Sequence, residues 1–122
     1  MSIPPVALAR TTLDAGSHSK PTQGMCVMEM ASLLANEKFS DHPTCVNAVI
    51  TAAAIRTNDM VSEGDRQRLK KLLPRIMRCH RTADDKRINV RLAIYCAKRV
   101  EHLVHGRNKR QAREAIEAAE RW

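Results

Sequence analysis

Four side chains in the first third of the sequence are of the types that bind zinc: His18, Cys26, His42 and Cys45. Zinc takes imidazole nitrogen and thiolate sulfur in a tetrahedral arrangement, so all four groups must converge. Cys45 follows His42 by three residues, which places this pair at the start of a predicted helix. The set predicts either a zinc site or ordinary packing between helices, because a free cysteine also behaves as a small apolar residue.

The same residues are also suited to nucleophilic chemistry. Cys26 lies near the start of a predicted helix, where the pKa of a thiol is lowered. His18 or His42 would then act as its base, and Glu29, one turn further along, would orient that base. The alternative for Glu29 is an ordinary solvated or ion-paired helix residue. A zinc-binding or Cys/His-dependent enzyme is therefore one hypothesis for this protein. We assign no catalytic residue, and zinc is the one candidate cofactor.

Basic residues provide a second pattern with a chemical meaning. Residues 62–122 contain seventeen Lys/Arg against eight Asp/Glu, whereas residues 1–61 contain four against five. The basic residues recur at helical spacing, which predicts a surface that neutralises phosphates or meets an acidic protein. Tyr95 is the only aromatic residue among them, which argues against a platform for single strands. The predicted binding residues are Arg68, Lys71, Arg75, Arg78, Arg87, Arg91, Lys98, Arg107, Lys109, Arg110 and Arg113.

The composition indicates which elements position these groups. Apolar residues make up 43% of the chain, yet there is only one Phe, one Tyr and one Trp. A core of Leu, Ile, Val, Met and Ala favours helices over strands. We therefore predict an all-α fold, a single compact domain of four to five short helices with an extended N-terminal arm. The predicted divisions are an arm over 1–23, a core over 24–104 and a basic C-terminal helix over 105–122.

Periodicity and capping signals predict where the first three helices lie. The first begins at Met25, in MCVMEMASLLAN. The second spans about 43–57, is capped by Ser40 or Asp41 with Pro43 in its first turn, and is apolar nearly all round. The third covers 65–80, and Pro74 should kink or break it. The segment VALARTTL, residues 6–13, is a candidate short strand.

Two more helices are predicted in the basic half. One runs from Ala83 to about Val104. The other covers KRQAREAIEAAERW and has a thin apolar face, so it should pack weakly or await a partner. The predicted buried residues are Ile88, Leu92, Cys96, Val100 and Leu103 on the first of these helices, and Ala112, Ile116 and Ala119 on the second.

Several short motifs between Ala15 and Asp59 form a recognisable set. They are AGSH (15–18), GMCVMEMAS (24–32), SDHPTCV (40–46), VI (49–50) and ND (58–59). Together they resemble a family of small uncharacterised proteins of actinobacteria and bacteriophages, with some likeness continuing through LKKLLPRI. The sequence departs from that pattern at Asn47 and over 51–56. The resemblance implies a helical fold built around the motif and a phage or mobile-element origin, and it transfers no activity.

The charge distribution favours a small non-enzymatic binding protein. Its basic C-terminal surface would contact nucleic acid or an acidic protein partner, and the Cys/His enzyme is the alternative. The N-terminal residues do not have the charged start and apolar run of a secretory signal. No segment has the roughly 20 apolar residues that would cross a bilayer. We therefore expect a cytoplasmic protein without a membrane partner.

Overall fold

The computed structural model describes residues 10–122, and this part of the chain is helical, which confirms the all-α prediction. Residues 6–9 of the predicted strand lie outside the described residues, and its remainder is not a strand. We number the helices in chain order, with 3-10 turns at Pro21–Gln23, Leu69–Leu72 and Glu101–Leu103. The helices are α1 (Val27–Leu34), α2 (Ala48–Met60), α3 (Glu63–Arg68), α4 (Leu73–Met77), α5 (Asp85–Val100) and α6 (Asn108–Arg121).

The chain divides into two units. The first extends to Thr82 and contains α1 to α4, and the second begins at Ala83 and contains α5 and α6. This division differs from the predicted border between 104 and 105, because α5 packs against α6 within the second unit. The helix predicted from Ala83 therefore belongs with the C-terminal helix.

Helix α1 forms the centre of the first unit. Its start is fixed by a capping box, in which Cys26 Sγ accepts from the Glu29 N–H at 3.4 Å and the Glu29 carboxylate accepts from the Cys26 N–H at 2.8 Å. Ser or Thr usually fills the position of this cysteine. Every residue from Val27 to Leu33 is buried, so α1 presents a core surface all round.

Helix α2 starts later than predicted. Asn47 is its N-cap, and the Asn47 side chain accepts from the N–H groups of Val49 and Ile50 at 2.9 and 3.2 Å. An asparagine cap satisfies two free amides at once, which explains why the turn holding Pro43 stays outside the helix.

Two predictions for α2 were therefore wrong. Ser40 and Asp41 do not cap it, and it is not largely buried. Within α2 only Thr51 and Asn58 are buried. Ala52 and Ala53 are exposed, so an apolar composition does not by itself bury a helix face.

The predicted break near Pro74 is confirmed. Helix α3 ends at Arg68, the chain tightens into the 3-10 turn, and α4 begins at Leu73 with Pro74 in its first turn. At this position a proline removes no hydrogen bond, because the first amides of a helix have no partner inside the helix. Leu73 is buried against the core that includes α1.

The described part of the N-terminal arm lies on the first unit, as predicted. Leu13 is fully buried. The Gln67 side chain accepts from the Leu13 N–H and donates to the Leu13 carbonyl, both at 2.8 Å, and Lys70 Nζ donates to the Thr11 carbonyl at 2.8 Å. Further along, the Asp14 N–H donates to the Met25 carbonyl at 2.9 Å. Side chains of α3 and the following turn thus satisfy the backbone of the arm.

The second unit is an antiparallel helical hairpin. Lys86 near the start of α5 lies against Trp122, while Glu101 just after α5 pairs with Arg113 of α6. No residue from 83 to 122 is buried, and the predicted thin face of α6 is partly buried as expected.

The predicted buried side of α5 was wrong. Ile88, Cys96, Val100 and Leu103 are exposed, and Leu92 is only partly buried. Helix α5 carries two apolar stripes, and periodicity alone does not tell which one meets α6. Val90, Ile94 and Ala97 form the second stripe and are partly covered.

Candidate functional site

Glu29 is the centre of the polar residues in the first unit. Its side chain is fully buried, and its carboxylate accepts three hydrogen bonds. The donors are the His18 N–H at 2.5 Å, His18 Nδ1 at 2.9 Å and the Cys26 N–H at 2.8 Å. Glu29 therefore joins the arm to the start of α1, as the predicted orienter of His18 would.

The region around Gly24 brings the arm close to this carboxylate. Gly24 has φ +132°, and a Cβ there would lie 2.8 Å from both His18 Nε2 and Asp14 Oδ2. The His18 ring is thus held between the Glu29 carboxylate on one edge and the Gly24 backbone on the other. Only 15% of the His18 side chain is exposed, so this imidazole serves mainly to hold the arm in place.

Cys26 is poorly placed to act as a nucleophile. It is buried, and burial raises the pKa of its thiol to about 12. The sequence predicted a lowered pKa because Cys26 lies at a helix N-terminus. The loss of solvent around the sulfur and the neighbouring Glu29 carboxylate outweigh the hydrogen bonds that favour the thiolate. At neutral pH the sulfur is a thiol that caps α1.

His42 and Cys45 lie in the turn before α2 and do not join His18 and Cys26. The His42 side chain is exposed, and its Nδ1 pairs with Asp41 Oδ1 at 2.6 Å. Burial and a hydrogen bond to Glu37 raise the pKa of the Cys45 thiol. Within residues 10–122 no three His, Cys, Asp or Glu side chains are arranged to hold a metal ion, so the structure gives the four-ligand zinc prediction no support.

Asn58, which belongs to the ND segment at 58–59, is buried, and the sequence predicted no contacts for it. Its Oδ1 accepts from the Val27 N–H at 3.0 Å, and its Nδ2 donates to the Asp14 carbonyl at 2.9 Å. Arg66, also buried, donates from Nε to the Asn58 carbonyl at 2.6 Å. In the sequence, Asn58 was marked only by its position, as a polar amide at the end of a predicted apolar helix. These contacts fix the ends of α1 and α2 and leave little polar capacity for a ligand.

The eleven predicted binding residues are all exposed, but they fall into two groups. Four of them pair with carboxylates of their own unit: Arg68 with Asp65, Lys98 with Glu120, Arg110 with Glu114 and Arg113 with Glu101. The remaining seven form no ion pair within the described chain. They are Lys71, Arg75, Arg78, Arg87, Arg91, Arg107 and Lys109.

Trp122 is the functional candidate that the sequence reading left out of the basic set. It lies at the end of α6, and the hairpin returns it to the start of α5 beside Arg87 and Arg91. Spacing along α5 could not indicate this neighbour, since the two segments are thirty or more residues apart.

The comparisons with family models, with curated proteins and with solved structures found no match for this chain. Among the described residues, no helix is long and apolar enough to span a membrane.

Proposed function

We propose that this protein is a non-enzymatic nucleic-acid-binding protein that contacts phosphates through its exposed basic side chains. The observation that carries the proposal is that seven of the eleven predicted binding residues are exposed and form no ion pair within residues 10–122. An uncompensated cation can neutralise a phosphate without first breaking an internal pair.

In the first unit these cations lie along one segment. Lys71, Arg75 and Arg78 follow each other at intervals of four and three residues, and the backbone between them stays in the right-handed helical region. Side chains at such intervals share one side of a helix. Arg66 and Lys70 of the same region are used internally, by the Asn58 and Thr11 carbonyls. The strip formed by Lys71, Arg75 and Arg78 is therefore distinct from the cations that hold the fold together.

The alternative hypothesis, a zinc or Cys/His-dependent enzyme, has less support. The Cys26 thiol is buried with a raised pKa, and His18 and Glu29 hydrogen-bond to each other and to the backbone. We infer that the motif that resembles the actinobacterial and phage family is a folding motif. Its Gly24, Cys26 and Glu29 close the arm onto α1, and a phage origin remains part of the proposal.

Fluorescence anisotropy with a labelled 20-base-pair duplex tests the proposal, with the affinity measured at several salt concentrations. The test variant is Lys71→Gln/Arg75→Gln/Arg78→Gln. The control is Arg68→Gln/Arg110→Gln/Arg113→Gln, which removes the same charge from paired residues. We expect the test variant to reduce the salt slope by about 2 to 3, because each phosphate contact contributes about 0.9.

The control variant should change the slope by less than about 1. Equal effects of the two variants would mean that only net charge matters and that the strip is not a site. If the wild-type protein bound neither DNA nor RNA at low salt but bound an acidic protein, the proposal would be wrong and the protein partner would take its place.

A further inference from the structure

The second unit contains a groove whose lining combines positive charge with an aromatic ring. It lies between α5 and α6, near the start of the first and the end of the second, and its volume is about 330 Å³. This is within the range of about 300 to 1,000 Å³ that is usual for small-molecule sites. The groove is lined mainly by Arg87, Val90, Arg91, Ile94, Glu120 and Trp122.

The positive charge of the groove comes from Arg87 and Arg91. Glu120 is paired with Lys98, so its carboxylate is already compensated. Arg87 and Arg91 are four residues apart on α5, on the same side of the helix, and neither forms an ion pair in the described chain. Two guanidinium groups one turn apart present several planar N–H donors, the arrangement that binds phosphate oxygens in a bidentate manner.

Trp122 provides the apolar part. Its relative exposure is 69%, and Lys86 Nζ lies 5.3 Å from the centroid of its ring. The ammonium group attracts the ring and favours this position at the mouth of the groove. Val90 and Ile94, partly buried on α5, add an apolar surface beside it. A flat aromatic ligand would contact the ring and these aliphatic side chains together.

We propose that this groove binds a nucleoside monophosphate unit, with the base stacked on Trp122 and the phosphate held by Arg87 and Arg91. The inference deepens the proposed function and rests on it. A base inside a duplex is paired and covered by its neighbours, so the unit must be an unpaired nucleotide, either in a single strand or free. The scarcity of aromatic residues had argued against such a site. The hairpin alters that expectation by bringing one tryptophan to two uncompensated arginines.

The protein has a single tryptophan, so its intrinsic fluorescence reports on the groove directly. The wild-type chain is titrated with adenosine monophosphate, a ten-residue oligothymidylate, a blunt duplex and inorganic phosphate. We expect quenching by the oligonucleotide and, at higher concentration, by the mononucleotide. Inorganic phosphate and the duplex should leave the fluorescence almost unchanged, because neither places an exposed base on the ring.

Variants assign the quenching to named side chains. In the variant Arg87→Gln/Arg91→Gln, the dissociation constant of the oligonucleotide, measured from the quenching curve, should rise about tenfold or more. In anisotropy with a labelled single strand, Trp122→Ala should bind about 5- to 150-fold more weakly. Trp122→Phe, which keeps a ring to stack on, should stay within a few-fold of wild type. Circular dichroism of both Trp122 variants checks that the hairpin still folds, and the phenylalanine variant keeps the test informative if the alanine variant does not.

The outcomes separate this inference from the proposed function. Anisotropy showing strand binding without any quenching, and unaffected by Trp122→Ala, would overturn the groove and leave nucleic-acid binding intact. In the reverse pattern, Lys71→Gln/Arg75→Gln/Arg78→Gln loses duplex binding but keeps the quenching. That result would support the basic strip and the groove as two separate binding surfaces. Quenching by the mononucleotide when no strand or duplex binds would support the groove, identify a free nucleotide as its ligand and contradict the proposed function.

Discussion

The two units of this protein use their polar residues in opposite ways. In the first unit Glu29, Asn58 and Arg66 are buried, and each binds backbone groups that would otherwise lack a partner. In the second unit no side chain is buried, and the ion pairs of α5 and α6 all lie at the surface. Buried hydrogen-bonded groups are costly to remove, whereas exposed ion pairs are worth little.

The comparison separates residues that hold the fold from residues that remain available to a partner. The motif residues between Ala15 and Asp59 lie in the first unit, where Glu29, Ser32 and Asn58 are already hydrogen-bonded to the protein. Uncompensated basic residues lie at the surface of both units, at Lys71, Arg75 and Arg78 in the first and at Arg87 and Arg91 in the second, and the exposed tryptophan lies in the second. Polar side chains that bind backbone groups of their own chain mark structure, and polar side chains left unpaired at the surface are the better candidates for function.

Replacement of Glu29 should have the largest effect. Glu29→Ala leaves the N–H groups of His18 and Cys26 buried without an acceptor, so we expect a loss of about 3 to 5 kcal/mol in the free energy of unfolding. Glu114→Ala in the second unit removes a carboxylate from an exposed pair and should cost below about 0.5 kcal/mol. Urea unfolding followed by circular dichroism measures both. Similar losses for the two variants would contradict the contrast between the units.

Glycines with positive φ provide a second, smaller contrast. At Gly24 an added Cβ would meet His18 and Asp14 at 2.8 Å, whereas at Gly106, with φ +69°, it would meet nothing within 4 Å. Gly24→Ala therefore combines strain with a clash and should cost about 2 to 4 kcal/mol. Gly106→Ala carries the strain alone, about 1 to 2 kcal/mol.

Gly64, in α3, is the control for this pair. Its φ is ordinary and the space around it is open. Gly64→Ala should stabilise the protein by about 0.5 to 1 kcal/mol, because alanine loses less backbone freedom in a helix. The order of the three midpoints in thermal unfolding is the readout. A Gly24→Ala protein as stable as Gly106→Ala would show that the arm can move away from Gly24 without cost.

Much of the helical fold was predictable because it depends on local signals. The apolar run of α1, the break at Pro74 and the thin face of α6 follow from residue spacing and from proline chemistry. The start of α2 was wrong because two competing caps, Ser40 and Asn47, precede the same apolar run. The buried face of α5 was wrong because periodicity defines stripes without saying which neighbour covers them.

The candidate sites were less predictable, since they depend on contacts distant in sequence. The position of Glu29 one turn after Cys26 indicated that this residue matters. It did not indicate which groups would donate hydrogen bonds to the Glu29 side chain. The pKa of Cys26 was predicted in the wrong direction, because a helix N-terminus is a local feature and desolvation is not. Trp122 could join Arg87 and Arg91 only after the hairpin had formed.

A small, pH-dependent effect is expected at Glu37, a partly exposed residue of the first unit. Hydrogen bonds from the Cys45 thiol and the Thr44 hydroxyl lower the pKa of its carboxylate from 4.5 to about 2. The folded pKa is below the unfolded one, so the ionised group stabilises the protein above pH 4.5. This contribution is lost as the pH falls from 4.5 to 2.

Glu37→Gln should remove that part of the pH dependence, an effect below about 1 kcal/mol because the site is solvated. The free energies of unfolding of the two proteins, measured with urea at pH 6, 4 and 3, should approach each other as the pH falls. If they instead stayed parallel, the carboxylate would not be held by these hydrogen bonds, and the low pKa would be wrong.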